Sequence, residues 1–129
     1  MIKRIIVDGN DGTGKTTRVN ELKKLFPNIT IEDRGIFSEA TLDENIFIKN
    51  NKTWKYESKF YREIKRNNDI LYIIVDASPE TCQKRIIERG DSIDVEYHNM
   101  HDLIKYHERF LKLFDICKEL PNVMLINTD

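Results

Sequence analysis

Residues 9–16 read Gly-Asn-Asp-Gly-Thr-Gly-Lys-Thr, which is G-x-x-x-x-G-K-T without departure. The setting gives this pattern its force. Ile2–Asp8 (IKRIIVD) before it is a β-branched run of strand length. After it, Gly14–Phe26 carries Val19, Leu22, Leu25 and Phe26 on a helical stripe that Pro27 ends. A strand, a glycine loop and a helix in that order make an anion cradle. Successive backbone N–H groups surround the oxygens, glycines keep Cβ atoms out of the way, and the helix adds its positive end. The expected nucleoside-triphosphate contacts are Gly9, Asn10, Asp11, Gly12, Thr13, Gly14, Lys15, Thr16 and Thr17. Lys15 is expected at the β- and γ-phosphates, and the Thr16 hydroxyl on Mg²⁺.

Beyond the loop, strand and helix patterns alternate. Ile29–Asp33 (ITIED) reads as a second strand. From Ile36 to Asn68 the apolar spacing is helical: Phe37, Ala40, Phe47 and Ile48 fit one helix, and Trp54, Tyr61 and Ile64 another with Phe60 beside them, the break falling at Asn50-Asn51. Ile70–Asp76 (ILYIIVD) is nearly all apolar, as a strand buried on both faces would be. Ser78-Pro79 then opens a helix that Gly90 closes. A last helix carries Leu103, His107, Phe110, Leu111, Phe114 and Cys117, and Val123–Asn127 is the last strand. The expectation is an α/β chain with a P-loop NTPase fold: a compact three-layer α/β/α single domain, residues 1–129, on a roughly four-stranded parallel sheet.

Composition removes several function classes. Hydrophobic residues make 40% of the 129 and charged residues 33%, a globular balance. With Lys+Arg 21 against Asp+Glu 22, the net charge of -1 weighs against a nucleic-acid partner. No apolar run approaches the roughly 18 residues that cross a membrane, and the N-terminus reads as a strand rather than a signal peptide. Cys82 and Cys117 have no CxxC partner, so neither zinc nor a disulfide is expected and a reducing, cytoplasmic location is. A homodimer is left open.

Two further clusters fit phosphate chemistry. Asp33-Arg34 closes the second strand, at the sheet edge where ligands of parallel sheets bind. Asp33 would orient Mg²⁺, its waters or a sugar hydroxyl, and Arg34 would clamp a substrate phosphate; a surface ion pair is the plainer alternative. Arg85 and Arg89 share one helix face, as in a lid over residues 85–97 or an ordinary basic helix end. Asp76 reads as a helix-capping residue more readily than as a magnesium ligand. His98, His101 and His107 read as helix residues without metal spacing, and the aromatics Trp54, Tyr56, Phe60 and Tyr61 as core.

These segments together resemble the thymidylate kinase and deoxynucleoside kinase superfamily of P-loop kinases. IIVDGNDGTGKTT resembles the thymidylate kinase loop, IEDRGIFSE the Asp-Arg or Glu-Arg-Ser motif, and LYIIVDASPETCQKRIIERGD the strand, helix and arginine lid. VMLINTD is similar to the last strand and adenine-side loop, which places Asn127 near the base. The resemblance implies ATP and Mg²⁺ as cofactors, with Lys15, Arg34 and Arg89 catalytic and Thr16 on the metal; Asp33 joins both sets from its place at the strand end. Arg34 would meet the acceptor phosphate or the transferring group, Arg85 the adenine, and Arg89 the transferring phosphoryl group. The chain is shorter than the family's usual members: only residues 17–28 separate the loop from the Asp-Arg strand. The segment that brings nucleoside kinases their carboxylate base is missing, which tilts the expectation to a deoxynucleoside monophosphate acceptor, dTMP first. A deoxynucleoside kinase using Asp33 or Glu32 as base, and an ATP-binding module without small-molecule transfer, are the alternatives.

Overall fold

The computed structural model describes residues 1–48 and 59–129. Four strands, β1 (Arg4–Gly9), β2 (Thr30–Asp33), β3 (Ile70–Asp76) and β4 (Val123–Asn127), form one parallel sheet in the order β2-β1-β3-β4. The register pairs Val7 with Asp33 and Gly9 with Val75, so β1 delivers its glycine loop to the carboxyl edge between two neighbours. The helices are α1 (Lys15–Leu25), α2 (Ile36–Thr41), α3 (Glu44–Ile48), α4 (Lys59–Arg66), α5 (Pro79–Glu88) and α6 (Met100–Cys117).

Alternation along the strands sorts the core into two faces. Ile5, Val7, Ile73 and Val75 meet Val19 of α1 on one side. Ile6, Tyr72 and Ile74 meet Phe37, Ile64, Phe110 and Leu113, from α2, α4 and α6, on the other. Cys82 and Ile86 of α5 pack against Leu103 of α6. The three layers expected from the sequence are present.

Most element ends fall within two residues of their sequence signals. Ser78 caps α5 through Thr81 N–H with Pro79 at the first turn, and Gly90 N–H returns to Ile87 O at 2.9 Å. Two expectations need correction. The helix spanning Phe37 to Ile48 is two helices. The Thr41 hydroxyl bonds back to Ser38 O at 2.7 Å, Leu42 leaves α2 exposed, and the Asp43 carboxylate accepts Asn45 N–H at 3.1 Å to start α3. On α6, Leu113 is fully buried and Leu111 is exposed, because the buried stripe runs Leu103, Phe110, Leu113, Cys117. The break at Asn50-Asn51, and Trp54 and Tyr56, lie outside the described residues.

Candidate active site

The glycine loop is held from behind by its own side chains. Asn10 is buried and donates to Leu103 O of α6 at 3.0 Å; the Thr13 hydroxyl donates to Asn10 O at 2.8 Å. Both side chains fix the loop's shape. Gly12 shows why this position is closed to other residues. Its φ is 82°, and a Cβ there would stand 2.5 Å from the Cys82 carbonyl oxygen. The loop therefore rests directly on α5. Thr16 and Thr17 are exposed at the first turn of α1, and Lys15 is largely buried with its ammonium 3.1 Å from the Asp33 carboxylate.

Asp8, which the sequence reading did not single out, ties β1 to the Asp-Arg turn. Its fully buried carboxylate accepts Gly35 N–H at 2.7 Å, Phe37 N–H at 3.3 Å and the Ser38 hydroxyl. Burial pushes this carboxyl up, and the Ser38 and backbone hydrogen bonds only partly offset it. Gly35 makes the close approach possible, since a Cβ there would lie 2.4 Å from Ile6 Cγ2. Arg34 is thereby held at φ 68° with its N–H on Val7 O at 2.8 Å. Left-handed backbone is unusual for a residue with a long side chain. Its guanidinium has no ion-pair partner among the described residues and lines the same cleft as Lys15, about 270 Å³ in volume. The signal for Asp8 was present in the sequence: a carboxylate ending an apolar strand must find donors.

The other wall holds Asp11. Arg89 Nη2 pairs with its carboxylate at 2.9 Å, and His98 Nε2 contacts the same oxygen. The other ring nitrogen of His98 lies 3.0 Å from Ser92 O. Both neighbours are acceptors, so both contacts are hydrogen bonds when the ring carries two protons. Burial raises the Asp11 carboxyl, but Arg89 and His98 outweigh it and hold it below the ordinary carboxylate range. His98 thus sits in the loop before α6 rather than in a helix, a correction that sequence spacing had no means to reveal. Arg89 also pairs with Asp91.

Arg85 stands behind the loop. It donates to Gly12 O at 3.3 Å, Thr128 Oγ1 at 2.9 Å and Thr128 O at 2.7 Å, while Thr128 Oγ1 donates to Thr13 O at 2.6 Å. Asn127 ends β4 exposed, its side-chain oxygen accepting Asp129 N–H at 2.9 Å. Asp76 does not cap α5. Its carboxylate lies 3.0 Å from His107 Nδ1, off the direction of a hydrogen bond, and the Asp129 carboxylate binds Ser78 N–H instead. Burial raises the Asp76 carboxyl, against the charge of His107. His107 is a helix residue as expected, while Phe60 and Tyr61 are core.

Among the described residues no group of three or more His, Cys, Asp or Glu forms a metal cage. Mg²⁺ asks for less: one or two hard oxygen ligands, the rest supplied by phosphates and water. The Thr16 hydroxyl and the Asp33 carboxylate, both exposed at the carboxyl edge, fit that donor chemistry.

No protein-family model matches the sequence, and no curated protein matches it. Solved structures do match. One is the YorR protein from Bacillus subtilis, crystallised in complex with phosphorylated GDP. It aligns with a TM-score of 0.60 over 98% of this chain and 85% of that chain, at 18% identity. The fold is that of a P-loop NTPase. Within it, the glycine loop, the Asp-Arg turn and the Arg89 loop converge on one cleft. No helix among the described residues is long and apolar enough to cross a membrane.

Proposed function

We propose that the protein is an ATP- and Mg²⁺-dependent nucleotide kinase whose acceptor is a deoxynucleoside monophosphate. One observation carries this reading: Lys15 from the glycine loop and Arg34 from the Asp-Arg turn line a single cleft of about 270 Å³. Two cations placed on separate backbone turns suit two phosphate groups brought together. The nucleotide held by the structurally similar YorR protein supports a nucleotide in this fold.

In this reading the glycine loop and Lys15 grip the triphosphate, and Arg34 orients the acceptor phosphate with its planar fork. An acceptor phosphate oxygen attacks the γ-phosphorus in line, and ADP leaves; little is asked of the protein beyond positioning and charge neutralisation. Magnesium, when bound, supplies further neutralisation, with Thr16 and Asp33 as its protein ligands. Arg89 leaves Asp11 to meet the transferring group as the loop at 89–99 closes.

The carboxylates favour a monophosphate over a nucleoside acceptor. A nucleoside hydroxyl needs a base, but Glu32 is paired with Arg4 at 2.6 Å and Asp33 is assigned to magnesium in this reading. An acceptor phosphate is already anionic and needs none. dTMP is the first candidate, on the sequence resemblance.

The test is ADP release coupled to NADH oxidation, with ATP, Mg²⁺ and each of the four dNMPs or the matching nucleosides. Turnover with at least one monophosphate and none with its nucleoside is expected. Turnover with nucleosides alone would replace this reading by the nucleoside kinase. ATP binding without transfer to any acceptor would leave an ATP-binding module.

A further inference from the structure

The cleft has an aromatic wall that the phosphate chemistry does not use. Tyr97, from the loop before α6, and Tyr106, from α6, both line it, their ring centroids 5.4 Å apart and their planes tilted by 50°. Tyr97 is 40% exposed and its backbone stands at φ 69°. A bulky side chain avoids that left-handed conformation unless its surroundings impose it.

They do so here. The Asp102 carboxylate accepts Tyr97 N–H at 3.0 Å and Asn99 Nδ2 at 3.0 Å, while Asn99 caps α6 by accepting Asp102 N–H at 2.9 Å. The next residue, His98, is moored to Asp11 of the glycine loop. A strained turn, locked at both ends, holds a half-exposed ring over a cleft. Simple packing would bury the ring, and a simple turn would place Gly or Asn at this φ. Tyr106 is backed by Arg109, whose guanidinium carbon lies 5.9 Å from the ring centroid and whose donors are committed to Thr41 O and Glu44.

We propose that Tyr97, supported by Tyr106, is the platform on which the acceptor's nucleobase stacks. Resting on the nucleotide reading above, this assigns acceptor recognition to two places: Arg34 takes the phosphate and Tyr97 the flat face of the base. Stacking reads a π-face rather than a hydrogen-bond edge, so the platform separates nucleotides from sugar phosphates more strongly than it separates one base from another.

The experiment is calorimetric titration of dTMP, dGMP and 2-deoxyribose 5-phosphate into wild type, Tyr97→Phe, Tyr97→Asn, Tyr106→Leu and Arg34→Ala, with a thermal melt of each variant. Asn suits left-handed backbone, so Tyr97→Asn keeps a folded protein without the ring. Wild type is expected to bind both nucleotides about tenfold or more tighter than the sugar phosphate. Tyr97→Phe keeps that advantage, Tyr97→Asn erases it, Tyr106→Leu reduces it, and Arg34→Ala weakens all three ligands together. A nucleotide advantage that survives in Tyr97→Asn and Tyr106→Leu overturns the platform while leaving a nucleotide site in place. Equal binding of nucleotide and sugar phosphate by wild type also removes the platform but keeps the phosphate site. If wild type binds none of the three, the nucleotide reading falls and takes the platform with it.

Discussion

Arg34 and Tyr97 are the two non-glycine residues at positive φ among the described residues, and both line the cleft. Such backbone costs about 1–3 kcal/mol at each position, so the surrounding hydrogen bonds must impose it. For Arg34 the imposing group is Asp8, through Gly35, Phe37 and Ser38. Three predictions belong at this scale. Lys15→Ala should keep the fold and reduce turnover roughly a hundredfold or more, since a preorganised charge is worth on the order of 3 kcal/mol at the transition state; wild-type turnover would place the activity elsewhere. Arg34→Ala should raise the acceptor KM or lower kcat with ATP affinity nearly unchanged, and a loss confined to ATP would move Arg34 to the other phosphate. Asp8 predicts a pH effect. Its folded-state carboxyl is raised by burial, so its contribution to stability is full below about pH 3.9 and is lost as pH rises through the folded value. Urea unfolding of wild type and Asp8→Asn at pH 4, 5.5 and 7 should show wild type losing ground to the variant as pH rises. A constant difference would refute the burial argument.

At the scale of elements, the arginine inside α5 and the one that caps its end divide their work. Arg85 binds Gly12 O and both oxygens of Thr128, so it joins α5, the glycine loop and the chain after β4. Arg85→Ala should therefore lower stability by about 1–3 kcal/mol, measured by denaturant unfolding without nucleotide. A change of only tenths would reduce it to a solvated helix end. Arg89 holds Asp11 and Asp91 through separate nitrogens of its fork. Arg89→Lys should depress kcat more than ground-state binding, because an ammonium cannot reproduce that geometry. Normal kcat in both Arg89→Lys and Arg89→Ala would take the 89–99 loop out of the mechanism. The elements themselves were legible where local physics decides. The β-branched runs became β1 and β3, Ser78-Pro79 and Gly90 bounded α5, and the glycine pattern sat between strand and helix. Less legible was what depends on partners distant in sequence. Asp8 meets residues 27 to 30 positions away, and Arg89 reaches Asp11 across 78. The helix pair α2–α3 was missed because an apolar stripe does not record a Thr and an Asp competing for backbone groups at its middle.

Taken whole, the molecule keeps its two thiols away from water. Cys82 and Cys117 are both fully buried, and burial pushes the Cys82 thiol up to about 12. Neither should react with iodoacetamide at pH 8 in the folded protein, because the thiolate is the nucleophile; labelling should follow global unfolding. Saturating ATP should then slow labelling about tenfold or more, as expected for a ligand that binds only the folded chain. Prompt labelling in native buffer would mean that α5 or α6 opens locally. One contact carries this coupling into the order of events during synthesis. The Thr128 hydroxyl closes on Thr13 O across 115 positions, and Arg85 fastens it there. On the ribosome, β1 and the glycine loop emerge well before residue 128, for which the clamp behind them waits. A growing chain thus has its glycine loop but cannot brace it until the residue after β4 has emerged, so the proposed ATP binding would tighten only once that clamp has closed.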